Sequence, residues 1–309
     1  MCKNSRNEWS KSFIIQLLGC QELIEKYGPS AYLDFNSVKA QYKKSKDRYF
    51  FLDYDGTLTP IVKTPSAAVP GSKTIESLKK LTADPSNKVF VISGRDSNTL
   101  EHWLGGIDNL GMSAEHGCFL KMPNSSEWQN LIADQNDEWK QEVTQVFDYF
   151  TERTPGSFIE RKSASITWHY RQCDPEFGSW QAKQCQSLLE NTISGKMSVE
   201  ILAGKKNLEV RPISINKGQT LRKILSEDTE KIQADFVFCA GDDRTDEDMF
   251  KALMELEDNG EFNALNGQNE SPVVTCTIGP AEKKTLAKFH VNNPDQLINL
   301  LFQLTTINE

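Results

Sequence analysis

Two carboxylates two residues apart follow a short apolar run and precede a glycine in Leu52-Asp53-Tyr54-Asp55-Gly56-Thr57. In an extended segment residues i and i+2 share a side, so Asp53 and Asp55 face the same way. Such a pair repels, one pKa rises, and a divalent cation relieves the strain. Mg²⁺ suits the site, since it takes a few carboxylates together with water and phosphate oxygens. Gly56 lets the backbone turn sharply and aim an N–H at an anion. Complementary groups recur along the chain. Ser93, in Ser93-Gly94-Arg95-Asp96, and Thr57 offer hydroxyls, and Lys217, in Asn216-Lys217-Gly218, offers an ammonium. Asp242, with Asp243 or Asp246, offers further metal ligands. These are the parts of phosphoryl transfer, where catalysis is mostly positioning and charge stabilisation. The chain has no G-x-x-x-x-G-K-[ST], G-x-G-x-x-G or G-x-S-x-G segment. Those nucleotide-binding loops and the serine-hydrolase elbow are therefore unsupported, and a carboxylate nucleophile is the best candidate.

Apolar strands must carry these clusters. Tyr49–Leu52, Val89–Ile92 and Asp235–Ala240 are short apolar runs, each stopped by one of the polar clusters. Helical stripes at Ile75, Leu78 and Leu81, at Leu100, Trp103 and Leu104, and at Leu221, Ile224 and Leu225 alternate with them. Strands apolar throughout, alternating with amphipathic helices, predict an α/β fold: a doubly wound parallel sheet covered on both faces. Ligands bind such sheets at the carboxyl ends of the strands, which would bring the clusters together. Thr245 reads as the N-cap of a helix over 245–256, with Asp248 three residues on.

Between about 121 and 211 the order changes to helix, two strands, helix, two strands, which predicts an inserted α+β cap with an antiparallel sheet. The division is thus 48–120 with 212–309 as the core, 121–211 as the cap, and 1–47 as a helical extension. Trp9, Phe13, Ile14, Leu17 and Leu18 form a helical stripe in that extension, and Lys43–Arg48 reads as a charged linker.

The 309 residues suit about two domains. Ordinary hydrophobic and charged fractions, 38% and 25%, exclude collagen-like and disordered chains. A net charge of −8 argues against nucleic acid as a partner. No apolar run is long enough for a membrane span, and Phe13–Leu18 does not read as a signal peptide. Seven cysteines without a C-x-x-C pair predict buried free thiols in a reducing compartment, hence a cytoplasmic location.

Asp53-Tyr54-Asp55-Gly56-Thr57-Leu58, Ser93, Lys217 and Gly241-Asp242-Asp243 resemble, in order, the four motifs of haloacid-dehalogenase-like phosphatases. The resemblance implies Asp53 as a nucleophile forming an aspartyl-phosphate, and Asp55 as the acid and then the base. It implies Ser93 and Lys217 as holders of the phosphoryl group. Mg²⁺ would be held by Asp53, the Asp55 carbonyl, Asp242 and, as a helper, Asp246. Leu52–Ile61, Ser93–Asp96, Ala114-Glu115-His116-Gly117 and Gly241–Glu247 are similar to trehalose-6-phosphate phosphatases. That similarity implies trehalose 6-phosphate as substrate. It assigns Glu160, Lys162, Arg171, Lys205 and Glu209 of the cap to the disaccharide, and Arg95 and His116 to the core side of the pocket. It also implies that the chain is a piece of a longer fusion behind a synthase-like domain, with subunits of a trehalose-synthesis complex as partners. Closing a cap over the core would exclude water from the reaction. The competing readings are a phosphatase or mutase for another sugar phosphate, such as sucrose 6-phosphate, and a non-catalytic regulatory subunit. The second predicts eroded motifs, and these are intact.

Overall fold

A computed structural model describes residues 29–62, 64–132, 138–193, 197–204, 206–213, 216–226, 232–262 and 271–306. The stripe from Trp9 to Leu18 and the expected sugar ligand Lys205 lie outside them. From the amino end come β1 (Ala31–Tyr32), α1 (Phe35–Lys44), β2 (Arg48–Leu52), α2 (Ser72–Ala83), β3 (Asn87–Ile92), α3 (Ser97–Leu104), β4 (Leu110–Ala114), β5 (Phe119–Lys121) and β6 (Gln129–Asn130). A second compact unit holds α4 (Glu138–Arg153), β7 (Phe158–Arg161), β8 (Ile166–His169), α5 (Pro175–Thr192), β9 (Val199–Ala203) and β10 (Asn207–Pro212). The first unit then resumes with α6 (Lys217–Ser226), β11 (Phe236–Gly241), α7 (Glu247–Asp258), β12 (Val273–Ile278), β13 (Phe289–Val291) and α8 (Pro294–Thr305).

The first unit is built on one sheet, ordered β1-β13-β12-β11-β2-β3-β4-β5-β6. All its pairings are parallel except β4 with β5 and β5 with β6. Side chains alternate faces along each strand. Phe50, Leu52, Val89, Val91, Phe236 and Phe238 join Leu78, Leu81, Leu100 and Leu300 in one buried cluster. Phe51, Phe90, Ile92, Val237 and Cys239 join Leu221, Met249, Phe250 and Leu253 in the other. Helices on both faces explain why the strands are apolar at every position, and each fully buried Phe or Leu contributes about 1.5–3 kcal/mol. The sheet reverses its winding between β2 and β11, which is where such folds open a ligand crevice.

Three local expectations are corrected. Lys43–Arg48 is not a linker: Lys43 and Lys44 end α1, whose Val38 and Tyr42 are buried in the core, and Arg48 starts β2. The Asp235 carboxylate accepts from the N–H groups of Lys46 and Asp47, each at 2.8 Å, which fixes the entry to β2. The division between units falls after Leu131 and before Asn216, because β5 and β6 keep the chain in the first sheet beyond residue 121. The helix expected from Thr245 starts at Glu247 instead, and Asp243 caps a turn ahead of it. The Asp243 side chain accepts from Thr245 N, Asp246 reaches back to the Asp243 N–H, and a 3₁₀ turn, Arg244–Asp246, precedes α7.

The inserted unit is the expected α+β module. Its antiparallel sheet is ordered β7-β8-β10-β9. Ile166, Trp168, Leu208 and Val210 on one face pack with Val143 and Phe147 of α4 and Cys185 and Leu189 of α5. Among the described residues no helix is long and apolar enough to cross a membrane, and the five described cysteines are buried and free.

Candidate active site

Asp53 follows β2 directly, and its N–H still bonds to the Ala240 carbonyl of β11 at 2.9 Å. The chain then folds back on itself: Leu58 N and Thr59 N bond to the Tyr54 carbonyl, and Gly56 N to the Thr59 carbonyl. Gly56 is required twice over. Its φ of +87° is left-handed, and a Cβ there would stand 2.3 Å from the Asp242 carboxyl carbon. The first motif and the carboxylate after β11 are thus pressed together, as the sequence predicted.

Lys217 opens α6 and is buried, with 2% exposure. Its Nζ donates to Asp53 Oδ1 and to Asp246 Oδ1, each at 2.7 Å. Burial alone would lower the lysine pKa, but Asp246 and Asp53 beside it hold it well above the usual range, so Lys217 stays charged. The acids shift the other way. Burial and then Asp246 drive Asp53 well above its ordinary value, against the pull of Lys217. Asp242 is pushed to about 7 by burial and by Asp243. Burial takes Asp246 to about 6, opposed by Lys217. Asp243 is lowered: burial is outweighed by Lys217 and by the Thr245 hydrogen bonds.

Asp53, Asp242 and Asp246 each bring one carboxylate oxygen within 4.8 Å of the others. One lysine facing three acids leaves excess negative charge, and Asp242 Oδ1 is buried with no hydrogen-bond partner among the described residues. A hard divalent cation fits this oxygen donor set. Both Asp246 oxygens are already engaged, one by Lys217 and the other by Asp243 N, whereas Asp242 retains its unpaired atom.

Ser93 follows β3 directly and is buried. Its Oγ accepts from Arg95 N at 3.1 Å, and its carbonyl accepts from His116 N at 2.9 Å. Glu115, His116 and Gly117 are all at positive φ, 48°, 58° and 116°, and the Glu115 N–H holds the turn by bonding to the Arg95 carbonyl. Gly94 is needed because a Cβ would strike the His116 imidazole. Thr57 Oγ1 is buried without a hydrogen-bond partner among the described residues. Arg95, expected on the pocket wall, forms a fork on Asp55: Nε to Oδ2 at 2.7 Å and Nη2 to Oδ1 at 2.6 Å. This pairing has no signature in sequence, since forty positions separate its members.

In the inserted unit, Glu160 lies opposite Thr167 and Thr167 opposite Glu209, so the three form one row across β7, β8 and β10. Residues paired in this way share a face, and it is the face opposite Trp168 and Leu208. The Glu160 carboxylate is 2.8 Å from His169 Nε2. Arg171 follows β8 in the turn to α5, and Lys162 N bonds to the Ser165 carbonyl in the β7–β8 turn. A contact not foreseen is Lys283, whose ammonium anchors the Asp242 carbonyl and Thr277 Oγ1.

The sequence profile of the trehalose-phosphatase family matches residues 51–295. The chain is 47% identical over 263 residues to a trehalose-phosphatase of Schizosaccharomyces pombe, covering 85% of this chain and 31% of that protein. It is 42% identical over 305 residues to α,α-trehalose-phosphate synthase [UDP-forming] B of Dictyostelium discoideum, covering 98% and 36%. The chain therefore spans about a third of the length of these relatives. Among solved structures, the C-terminal domain of trehalose-6-phosphate phosphatase from C. albicans superposes with a TM-score of 0.83 at 42% identity, covering 90% of this chain and 99% of that one.

Proposed function

Since the chain belongs to the trehalose-phosphatase family, we propose that it hydrolyses trehalose 6-phosphate to trehalose and phosphate through an aspartyl-phosphate on Asp53. The observation that carries this reading is the buried Asp53 carboxylate with one oxygen on Lys217 and with Asp242 and Asp246 within ligand distance. Lys217 holds Oδ1, which leaves Oδ2 to attack phosphorus. The bond from phosphorus to the sugar oxygen breaks, and Asp55 delivers a proton to that oxygen. The Asp55 carboxylate then takes a proton from water as the water oxygen bonds to phosphorus, and Asp53 leaves as a carboxylate. Ser93, Thr57 and Lys217 bind the non-bridging oxygens, whose charge grows on the way to the transition state. Asp53, Asp242 and the Asp55 carbonyl, with Asp246 as a helper, would hold Mg²⁺, which would supply positive charge against the phosphate and the carboxylates.

The disaccharide offers many hydroxyls and no charge beyond its phosphate. Glu160, Lys162, Arg171, Lys205 and Glu209 supply charged hydrogen bonds to hydroxyls, and His116 lines the core side. A substrate lacking a matching hydroxyl leaves such groups unpaired, which gives selectivity. Subunits of a trehalose-synthesis complex are the partners this reading favours, and free buried thiols favour a cytoplasmic setting. The test is phosphate release from a panel of sugar phosphates with and without Mg²⁺. Preferred turnover of trehalose 6-phosphate that requires Mg²⁺ supports the reading; equal or better turnover of sucrose 6-phosphate removes the substrate assignment.

A further inference from the structure

Arg95 is fixed on every side of its guanidinium. One edge forks onto both Asp55 oxygens, Nη1 donates to the Pro65 carbonyl at 2.6 Å, and Cζ lies over the Trp103 ring, 4.8 Å from its centroid. Trp103 is held in turn by stacking on Tyr54 at 5.5 Å. Tyr54 is fully buried and donates to the Ala68 carbonyl at 2.6 Å. An aspartate at a turn can rotate about two side-chain bonds. A planar fork removes that freedom, because both oxygens must lie in the guanidinium plane.

We propose that Trp103 and Arg95 are positioning residues that set the orientation of the Asp55 carboxyl, so that α3 controls protonation of the leaving sugar oxygen without touching the substrate. The inference rests on the acid–base role given to Asp55 above. It moves Arg95 from substrate binding to the support of a catalytic group. A leaving sugar alkoxide needs a well-aimed proton, whereas p-nitrophenolate leaves without one. The two leaving groups therefore separate aiming of the acid from binding of the phosphoryl group.

The experiment uses the full 309-residue chain with Mg²⁺ and compares Asp55→Asn, Arg95→Met, Arg95→Lys, Trp103→Leu and Trp103→Phe. Steady-state turnover of trehalose 6-phosphate is set beside the rapid-mixing burst of p-nitrophenol from p-nitrophenyl phosphate. Burst amplitude also counts folded sites, so a variant that folds poorly is still read correctly. Arg95→Met should lower kcat on trehalose 6-phosphate by about 100-fold and Trp103→Leu by about tenfold, with KM within about twofold. The burst rate constant should stay within about twofold of the parent, because that step needs no general acid. Arg95→Lys should not rescue, since an ammonium lacks the fork, whereas Trp103→Phe, which keeps a ring face, should. A rise in KM with kcat unchanged would make Arg95 a substrate ligand and overturn the proposal, as would equal losses in kcat and burst rate. If Asp55→Asn itself spares trehalose 6-phosphate, the acid–base reading fails. If Asp55→Asn abolishes turnover while Arg95→Met and Trp103→Leu leave kcat intact, only this inference fails.

Discussion

Lys217 sits between Asp53 and Asp246 with almost no access to solvent, so its loss strands two acids. Lys217→Met is expected to destabilise the fold by about 3–5 kcal/mol at neutral pH, the range for breaking a buried ion pair, as urea titration would measure. An unchanged midpoint would mean that the acids are neutral without it. The same excess of carboxylates gives a pH dependence. Asp242 and Asp246 titrate near 7 and near 6 in the folded chain, above the ordinary carboxylate value. Between the ordinary value and those raised values the folded state holds more protons than the unfolded one, so this contribution to stability falls as pH rises. Without metal, melting temperature should therefore drop from pH 5 toward pH 8, and Mg²⁺ should raise it more at pH 8 than at pH 5. A metal-induced shift equal at both pH values would contradict the assignment. Gly56→Ala should lose activity, since it combines a left-handed φ, costing about 1–3 kcal/mol, with a collision against Asp242.

At the scale of elements, β2, β3 and β11 were legible because strands buried on both faces leave uninterrupted apolar runs, and each run ends where the chemistry begins. β1 was not, since two exposed residues, Ala31 and Tyr32, carry no periodicity. α1 was hidden because its lysines dominate a short window, although Val38 and Tyr42 point into the core. Thr245 was misread as a cap because Asp243 and Thr245 are both good capping types, and only geometry shows that Asp243 accepts and that it caps the 3₁₀ turn ahead of α7. The inserted sheet was legible as two pairs of strands, but the row Glu160, Thr167, Glu209 needed the register of three strands. That row yields a prediction. Glu160→Ala or Glu209→Ala should raise KM for trehalose 6-phosphate by about 10- to 100-fold, the worth of a charged hydrogen bond, and leave p-nitrophenyl phosphate nearly unaffected. Equal losses on both esters would remove the sugar-binding role.

For the whole molecule, an interrupted sheet carries the chemistry and a separate α+β unit is inserted between β6 and α6. The first unit buries one cluster on each face of its sheet, and the inserted unit has its own, which includes Trp168, Phe147 and Leu189. Two strand ends and one helix start meet at one carboxylate: Asp53 follows β2, Asp242 follows β11, and α6 opens on Lys217. The direct test is mass spectrometry of the chain quenched in acid during turnover of trehalose 6-phosphate with Mg²⁺. One phosphoryl group is expected on the peptide carrying Asp53, and neither modification nor turnover in Asp53→Asn. An Asp53→Asn chain that releases phosphate at the parent rate would contradict a nucleophilic Asp53.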